Sequence, residues 1–135
     1  MAFTIDPGSR AATRLRDELI GWLVTVSPAG APQPSPVWFL WDEDGFLLYS
    51  QPDTPKLRNI AANPRVALHL DGNGRGGDIL IVSGRASTGG APPASDVPAY
   101  VAKYGALIER NGWTPASFAA DYSVPVRIAP RALRG

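Results

Sequence analysis

Apolar and polar positions alternate in several short runs along this chain, and the period changes between them. Residues 65–71 (RVALHLD) put Val66, Leu68 and Leu70 on one face of a strand and His69 on the other. Residues 20–27 (IGWLVTVS), 46–50 (FLLYS) and 78–88 (DILIVSGRAST) read as further strands, and 32–41 (PQPSPVWFLW) as one of unusual make-up. A last strand is predicted from Val124 to about Ile128. Helical spacing occurs in three places. Residues 8–19 carry Leu15 and Leu19 at i, i+4 behind a capping Ser9, residues 55–63 (PKLRNIAAN) fit a short helix, and 96–122 are helical with a break near Asn111-Gly112. Pro28-Ala29-Gly30 and Asp42-Glu43-Asp44-Gly45 are turns, 72–77 is a glycine-rich loop and 89–95 a linker.

Six strands joined by mostly short links predict a mainly antiparallel sheet. The run of hairpins favours a closed or nearly closed barrel over a layered α/β sheet. The expected fold class is therefore mainly β (α+β), with short helices between and after the strands. A chain of 135 residues suits one domain, here 1–135.

Composition narrows the chemistry. The chain has no cysteine, which excludes disulfides, thiolate metal sites and cysteine nucleophiles. The N-terminal MAFTIDPGSRAATRLRDEL has no apolar signal core, and no apolar run approaches membrane-spanning length. A cytoplasmic location without membrane insertion is expected. The formal net charge of +1 gives no bulk attraction to nucleic acid, so no nucleic-acid partner is expected. Eleven arginines stand against two lysines, which singles out Lys56.

Two features point to ligand chemistry. Pro32, Pro34 and Pro36 sit at every second position, so the missing N–H groups fall on one edge of the strand. Gln33, Ser35 and Val37 keep donors on the other edge. The strand is predicted to lie at a seam with its backbone open on one side, either as an edge guarded against aggregation or as a platform for a flat ring. The second feature is Tyr49-Ser50-Gln51 followed by Thr54-Pro55-Lys56-Leu57-Arg58-Asn59. Thr54 suits an N-cap and Pro55 the first helical position, yet the charges of the first turn are Lys56 and Arg58. That sign opposes the helix dipole, and an external anion near Ser50 would resolve the conflict. The alternative is two exposed cations bearing a small penalty.

Other features are weaker. His69 is the only histidine and reads as structural, and no metal site is expected. The loop Gly72-Asn73-Gly74-Arg75-Gly76-Gly77 lacks the ending of a phosphate loop and leads into a strand. Trp22, Trp38, Trp41 and Trp113 read as core or interface residues, with Trp38 beside the platform.

The strand PQPSPVWFLW, then LLYS, then PKLRNIAANPRVALHLDG resembles the pyridoxamine 5'-phosphate oxidase-like split β-barrel superfamily. More narrowly it is similar to the deazaflavin-dependent oxidoreductases of that fold, over about residues 10–130. The resemblance implies a six-stranded antiparallel split β-barrel, working as a homodimer with cofactor sites at the interface. It implies a phosphate held by Ser50, Lys56 and Asn59 with help from Arg58, and a tricyclic ring lying along Ser35, Pro36, Val37 and Trp38. Tyr49 and Gln51 flank that turn. Arg75, Ile79, Tyr104, Trp113 and Arg127 are candidates for completing the site from the partner subunit. The second strand carries no basic residue and the C-terminal VPVRIAPRALRG no histidine, which argues against pyridoxine-phosphate oxidation. A single histidine gives haem degradation little support. The implied cofactor is coenzyme F-420, with FMN as the alternative. The implied reaction is hydride transfer to a small conjugated acceptor such as an enone or quinone; a non-catalytic carrier is the other reading. Catalytic residues are not identified, and Tyr49, Tyr104 or solvent are the candidate proton donors.

Overall fold

The computed structural model describes residues 4–42 and 44–135; Glu43 of the predicted turn and the first three residues lie outside them. Seven strands form one antiparallel sheet: β1 (Gly21–Val26), β2 (Pro32–Val37), β3 (Leu40–Trp41), β4 (Phe46–Ser50), β5 (Arg65–Leu70), β6 (Ile81–Thr88) and β7 (Val124–Arg134). Their order across the sheet is β2-β1-β5-β6-β7-β4-β3. The helices are α1 (Arg10–Asp17), α2 (Pro55–Ala62), α3 (Pro98–Arg110) and α4 (Pro115–Asp121).

The sheet must curl, because β2 and β3 occupy its two opposite edges yet only Trp38 and Phe39 separate them in the chain. Two residues span roughly 10 Å at most, so the margins are brought face to face. This break turns the predicted single strand 32–41 into two and the expected six strands into seven. The proline strand lies at an edge, as its spacing predicts. Gln33, Ser35 and Val37 stand opposite Thr25, Leu23 and Gly21 of β1 and can donate to them. The prolines can donate to nothing on either side.

Three other boundaries differ from the reading of the sequence. The helix α1 ends at Asp17, so Leu19 is 39% exposed and makes no i, i+4 contact with the fully buried Leu15. The strand predicted from 78 begins at Ile81, after Asp78 takes a positive φ of 59°. The last strand runs on to Arg134, because a register shift at Ser83/Gly84 accommodates Pro130. Gly84 is required there: a Cβ would come within 2.3 Å of the Ala129 carbonyl oxygen. Ser9 caps α1 as expected, its hydroxyl accepting from Ala12 N at 3.1 Å.

Two apolar clusters follow from the curl. Leu23, Phe39, Phe46, Leu48, Leu68 and Val82 fill the barrel interior. The second cluster lies on the outer side of β4, where Leu47 and Tyr49 pack beneath Tyr100, Tyr104 and Ile108 of α3 and Phe118 of α4. All five residues of β4 are therefore buried.

The two-residue crossover is pinned by α3. The Tyr104 hydroxyl accepts from Phe39 N at 2.7 Å and sits 2.8 Å from both the Leu19 and Phe39 carbonyl oxygens. Lys103 Nζ donates to Phe39 O at 2.8 Å and lies 3.9 Å from the centre of the Phe39 ring. Burial pushes this ammonium down to about 8 from an ordinary 10.5, against the pull of Asp17 and Glu18. The unfolded chain thus holds a proton at Lys103 between those values that the folded chain gives up, so stability rises as pH climbs from 8 towards 10. Above 10 the trend reverses, because burial raises the pKa of Tyr100 and Tyr104 and only the unfolded chain ionises them there. Thermal melts across pH 7–11 are expected to peak near 10, and Lys103→Met is expected to flatten the rise but leave the fall. A Lys103→Met profile matching wild type between pH 8 and 10 would remove Lys103 as the cause.

Candidate functional site

The open margin at β2 borders a cavity of about 280 Å³. Pro36, Val37 and Trp38 form its strand side, with Tyr49 of β4 and Lys56 of α2. Tyr100, Phe118 and Tyr122 close the opposite side, and Ile20 stands at the entry to β1. Trp38 is held between Tyr104 and Phe118, with centroids 4.8 and 5.4 Å away and planes within 5° and 15°. Its ring is thereby fixed as a wall.

Lys56 is the cavity's one ionisable cation. It is half-buried and makes no hydrogen bond or ion pair among the described residues. Burial lowers its pKa below the ordinary lysine value, and no carboxylate counters that shift. Thr54 and Pro55 start α2 as predicted, and the first turn holds no acid. The Thr54 hydroxyl does not cap the helix; it lies 3.0 Å from Ser50 Oγ instead. Ser35 Oγ is buried without a hydrogen-bond partner.

The predicted phosphate set is only partly free. Ser50 is 1% exposed and its hydroxyl donates to Gln51 O at 2.7 Å. Asn59 is buried, and its amide donates to Thr25 Oγ1 at 2.9 Å and Gln33 Oε1 at 2.7 Å, tying α2 to β1 and β2. Arg58 is exposed with one nitrogen on Asp53 O at 2.6 Å. Gln51 is exposed. In this chain Ser50 and Asn59 organise the turn, and Lys56 and Arg58 are its basic side chains, without an acid partner among the described residues.

The residues assigned to a partner subunit separate. Arg75 is exposed in the glycine loop, where the Asn73 side chain accepts from Arg75 N at 2.8 Å and Gly77 N at 3.1 Å. Ile79 is 47% exposed beside Arg10 and Leu133, away from the cavity. Arg127 is paired with Asp42 at 2.9 Å. Tyr104 is wholly buried in its own chain and cannot enter another, and its bonded hydroxyl also removes it as a proton donor. Tyr49 is committed likewise, donating to Pro92 O at 2.7 Å. Trp113 belongs to the cavity's own aromatic cluster, 6.1 Å from Phe118 and 6.3 Å from Tyr122. His69 packs against Trp22 at 6.5 Å, with Nδ1 3.1 Å from Leu70 O, a structural setting.

Reading the sequence missed Tyr100, Phe118, Tyr122 and Ile20. The first three lie on α3 and on and just after α4, with no motif; only the aromatic spacing Tyr100, Tyr104, Phe118, Tyr122 could have flagged them.

A curled antiparallel sheet with a proline-blocked margin and flanking helices defines a split-barrel protein of the pyridoxamine 5'-phosphate oxidase-like superfamily. The chain belongs to the pyridoxamine 5'-phosphate oxidase family, whose profile matches residues 9–134. Among solved structures it is similar to an F-420 reductase, at 28% identity over 96% of this chain and 98% of that one, with a TM-score of 0.70. A putative pyridoxamine 5'-phosphate oxidase from Listeria innocua shares the fold at 20% identity, covering 91% and 92% of the two chains with a TM-score of 0.67. So does HutZ, a haem storage protein from Vibrio cholerae, at 18% identity, 98% and 94% coverage and a TM-score of 0.65. No curated protein matches the chain. No helix among the described residues is long and apolar enough to cross a membrane.

Proposed function

We propose that this protein is an F-420-dependent oxidoreductase that reduces a small conjugated acceptor. The observation that carries the reading is Lys56, an unpaired, half-buried ammonium beside a proline- and tryptophan-lined margin. An unpaired cation in an aromatic cavity is costly unless an anion meets it. A flat heterocycle with an anionic tail supplies both complements, and the donor set fits it. Similarity at 28% identity to an F-420 reductase supports the choice of deazaflavin.

Coenzyme F-420 when bound would supply the hydride. The chain's own part is to place and shield. Pro36, Val37 and Trp38 would bear the ring, Lys56 and Arg58 would hold the anionic tail, and the aromatic wall would exclude water. The protein would act as a homodimer. The outer face of β1, β5 and β6 supports this, since Trp22, Val24, Ala67 and Ile81 are only half-buried there.

Titration with F-420 and with FMN tests the proposal. F-420 is expected to bind, and its reduced form to be oxidised only once an enone or quinone is added. Uptake of FMN alone would transfer the reading to flavin, uptake of F-420 without turnover on any acceptor would leave a carrier, and uptake of neither would end it.

A further inference from the structure

The glycine-rich loop between β5 and β6 plays no part in the site beside β2, whose cavity none of residues 72–77 lines. Its two ends are held from α1. The Arg14 guanidinium donates to Asp71 O at 2.9 Å and to Asp78 O at 2.8 Å, and Arg10 donates to the Asp78 carboxylate at 2.7 Å. Between those feet the chain turns around the Asn73 side chain. Asn73 N donates to Gly77 O at 3.0 Å, and Asn73 Oδ1 accepts from Arg75 N at 2.8 Å and from Gly77 N at 3.1 Å. Asn73 Nδ2 and Gly74 N donate to nothing among the described residues. A Cβ at position 77 would stand 2.6 Å from Asn73 Nδ2, so glycine there leaves room for the amide.

The chain has four asparagines, and their surroundings separate them. Asn63 precedes Pro64, which has no N–H. Asn59 is buried, with its amide bonded to Thr25 and Gln33. Asn111 precedes a glycine, as Asn73 does, but both of its relevant nitrogens are tied. Asn111 Nδ2 donates to Leu107 O at 2.7 Å, and Gly112 N donates to Glu109 O at 2.9 Å. At Asn73 the corresponding nitrogens are free, and the oxygen is the atom that is held. Gly74 takes a φ of 81° with open space where a Cβ would stand, so no side chain of its own obstructs the approach of its nitrogen to Asn73 Cγ.

We infer that Asn73 is a self-modification site, at which the folded loop converts its own asparagine to aspartate and isoaspartate. Gly74 N bonds to Asn73 Cγ and the Cγ–Nδ2 bond breaks. The proton from Gly74 N leaves, by way of solvent, with Nδ2 as ammonia, and a succinimide ring remains. Water then opens the ring at either carbonyl, and no group is oxidised or reduced. As Cγ becomes tetrahedral, negative charge gathers on Oδ1. Arg75 N and Gly77 N already point at that oxygen, from the distances at which paired donors stabilise an oxyanion. The product exchanges a neutral amide for a carboxylate, which takes the formal net charge from +1 to zero. Because Arg14 clamps both feet, the extra backbone carbon of isoaspartate is confined to the loop.

The test is to age the purified protein at mildly alkaline pH, cleave samples after arginine and follow the peptides by mass spectrometry. The peptide 66–75 contains Asn73 as its one asparagine, and 111–127 contains Asn111. In the folded protein the first is expected to gain one dalton about tenfold faster than the second. In urea, where neither the loop nor the helix end survives, the two are expected to react at similar rates, with Asn73 slower than in the folded protein. Gly77→Ala sets a Cβ against the mobile end of the Asn73 side chain and moves the amide off its donors. That variant is expected to lower the folded rate at residue 73 to the urea rate or below, and to leave residue 111 unchanged. Folded Asn73 reacting no faster than Asn111, or more slowly than in urea, would overturn the inference. So would a folded Gly77→Ala that reacts at the wild-type rate. The comparison of folded and urea-treated wild type needs no variant, and decides the matter if Gly77→Ala does not fold.

Discussion

Tyr104→Phe is expected to destabilise the protein by about 1–3 kcal/mol, the penalty for leaving a buried backbone group without its partner. The ring survives the change, so packing is conserved and the effect isolates one oxygen. That oxygen accepts from Phe39 N at 2.7 Å and reaches the Leu19 and Phe39 carbonyls at 2.8 Å. Phe39 is wholly buried, and water cannot replace the acceptor without opening the crossover. The same substitution four residues earlier, Tyr100→Phe, removes a hydroxyl with no protein partner and is expected to leave the melting temperature nearly unchanged. Urea unfolding of the two variants side by side makes the comparison direct. Equal losses would show that hydroxyl burial alone, not the bonds to Phe39 and Leu19, sets stability here.

Lys56→Ala is expected to weaken F-420 binding by about 1–3 kcal/mol, roughly five- to 150-fold, as for loss of a charge-assisted hydrogen bond. Stability should hold or improve slightly, because the variant no longer buries an unpaired charge. The pH dependence has the same cause. Burial lowers the Lys56 pKa, so the ammonium that meets the anion is lost earlier on the way up in pH than for an ordinary lysine. Affinity of the wild type should therefore decline through the alkaline range while that of Lys56→Ala stays flat. Calorimetry at two pH values on both proteins checks this. Unchanged affinity in the variant would remove Lys56 from the site.

Much of the fold was legible because it rests on local rules. Alternation located β1, β4 and β5, Ser9 and Thr54 with Pro55 marked two helix starts, and Gly112 marked the break between α3 and α4. The proline spacing placed β2 at an edge, since three absent donors forbid a second neighbour. What escaped was non-local. Trp38 and Phe39 are good strand residues by composition, and only the closure of the sheet takes them out of the ladder. Pro130 looks like a strand's end until the shift opposite Gly84 makes room for it.

The site divides in the same way. The acid-free first turn around Lys56 and the edge position of β2 were readable from sign and spacing. Ser50 and Asn59 carried the right chemistry, but their hydrogen bonds are spent within the chain. Whether a polar side chain faces inward or outward depends on what the next element offers it. Tyr100, Phe118 and Tyr122 were invisible for a related reason. Aromatic residues at helical intervals signal packing, and packing does not disclose which rings also border a void.

The alternation of backbone groups along β2 has one more result. Gln33, Ser35 and Val37 spend both their amide and carbonyl groups on β1, so the outward backbone positions belong to Pro32, Pro34 and Pro36. Those positions offer carbonyl oxygens and no hydrogens. A margin made of acceptors alone cannot zip onto another strand, which needs hydrogens in return, yet it can still receive the N–H of a heterocycle. On the proposed reading, the feature that keeps this rim from pairing with another strand would also favour ligands whose own edge brings the proton.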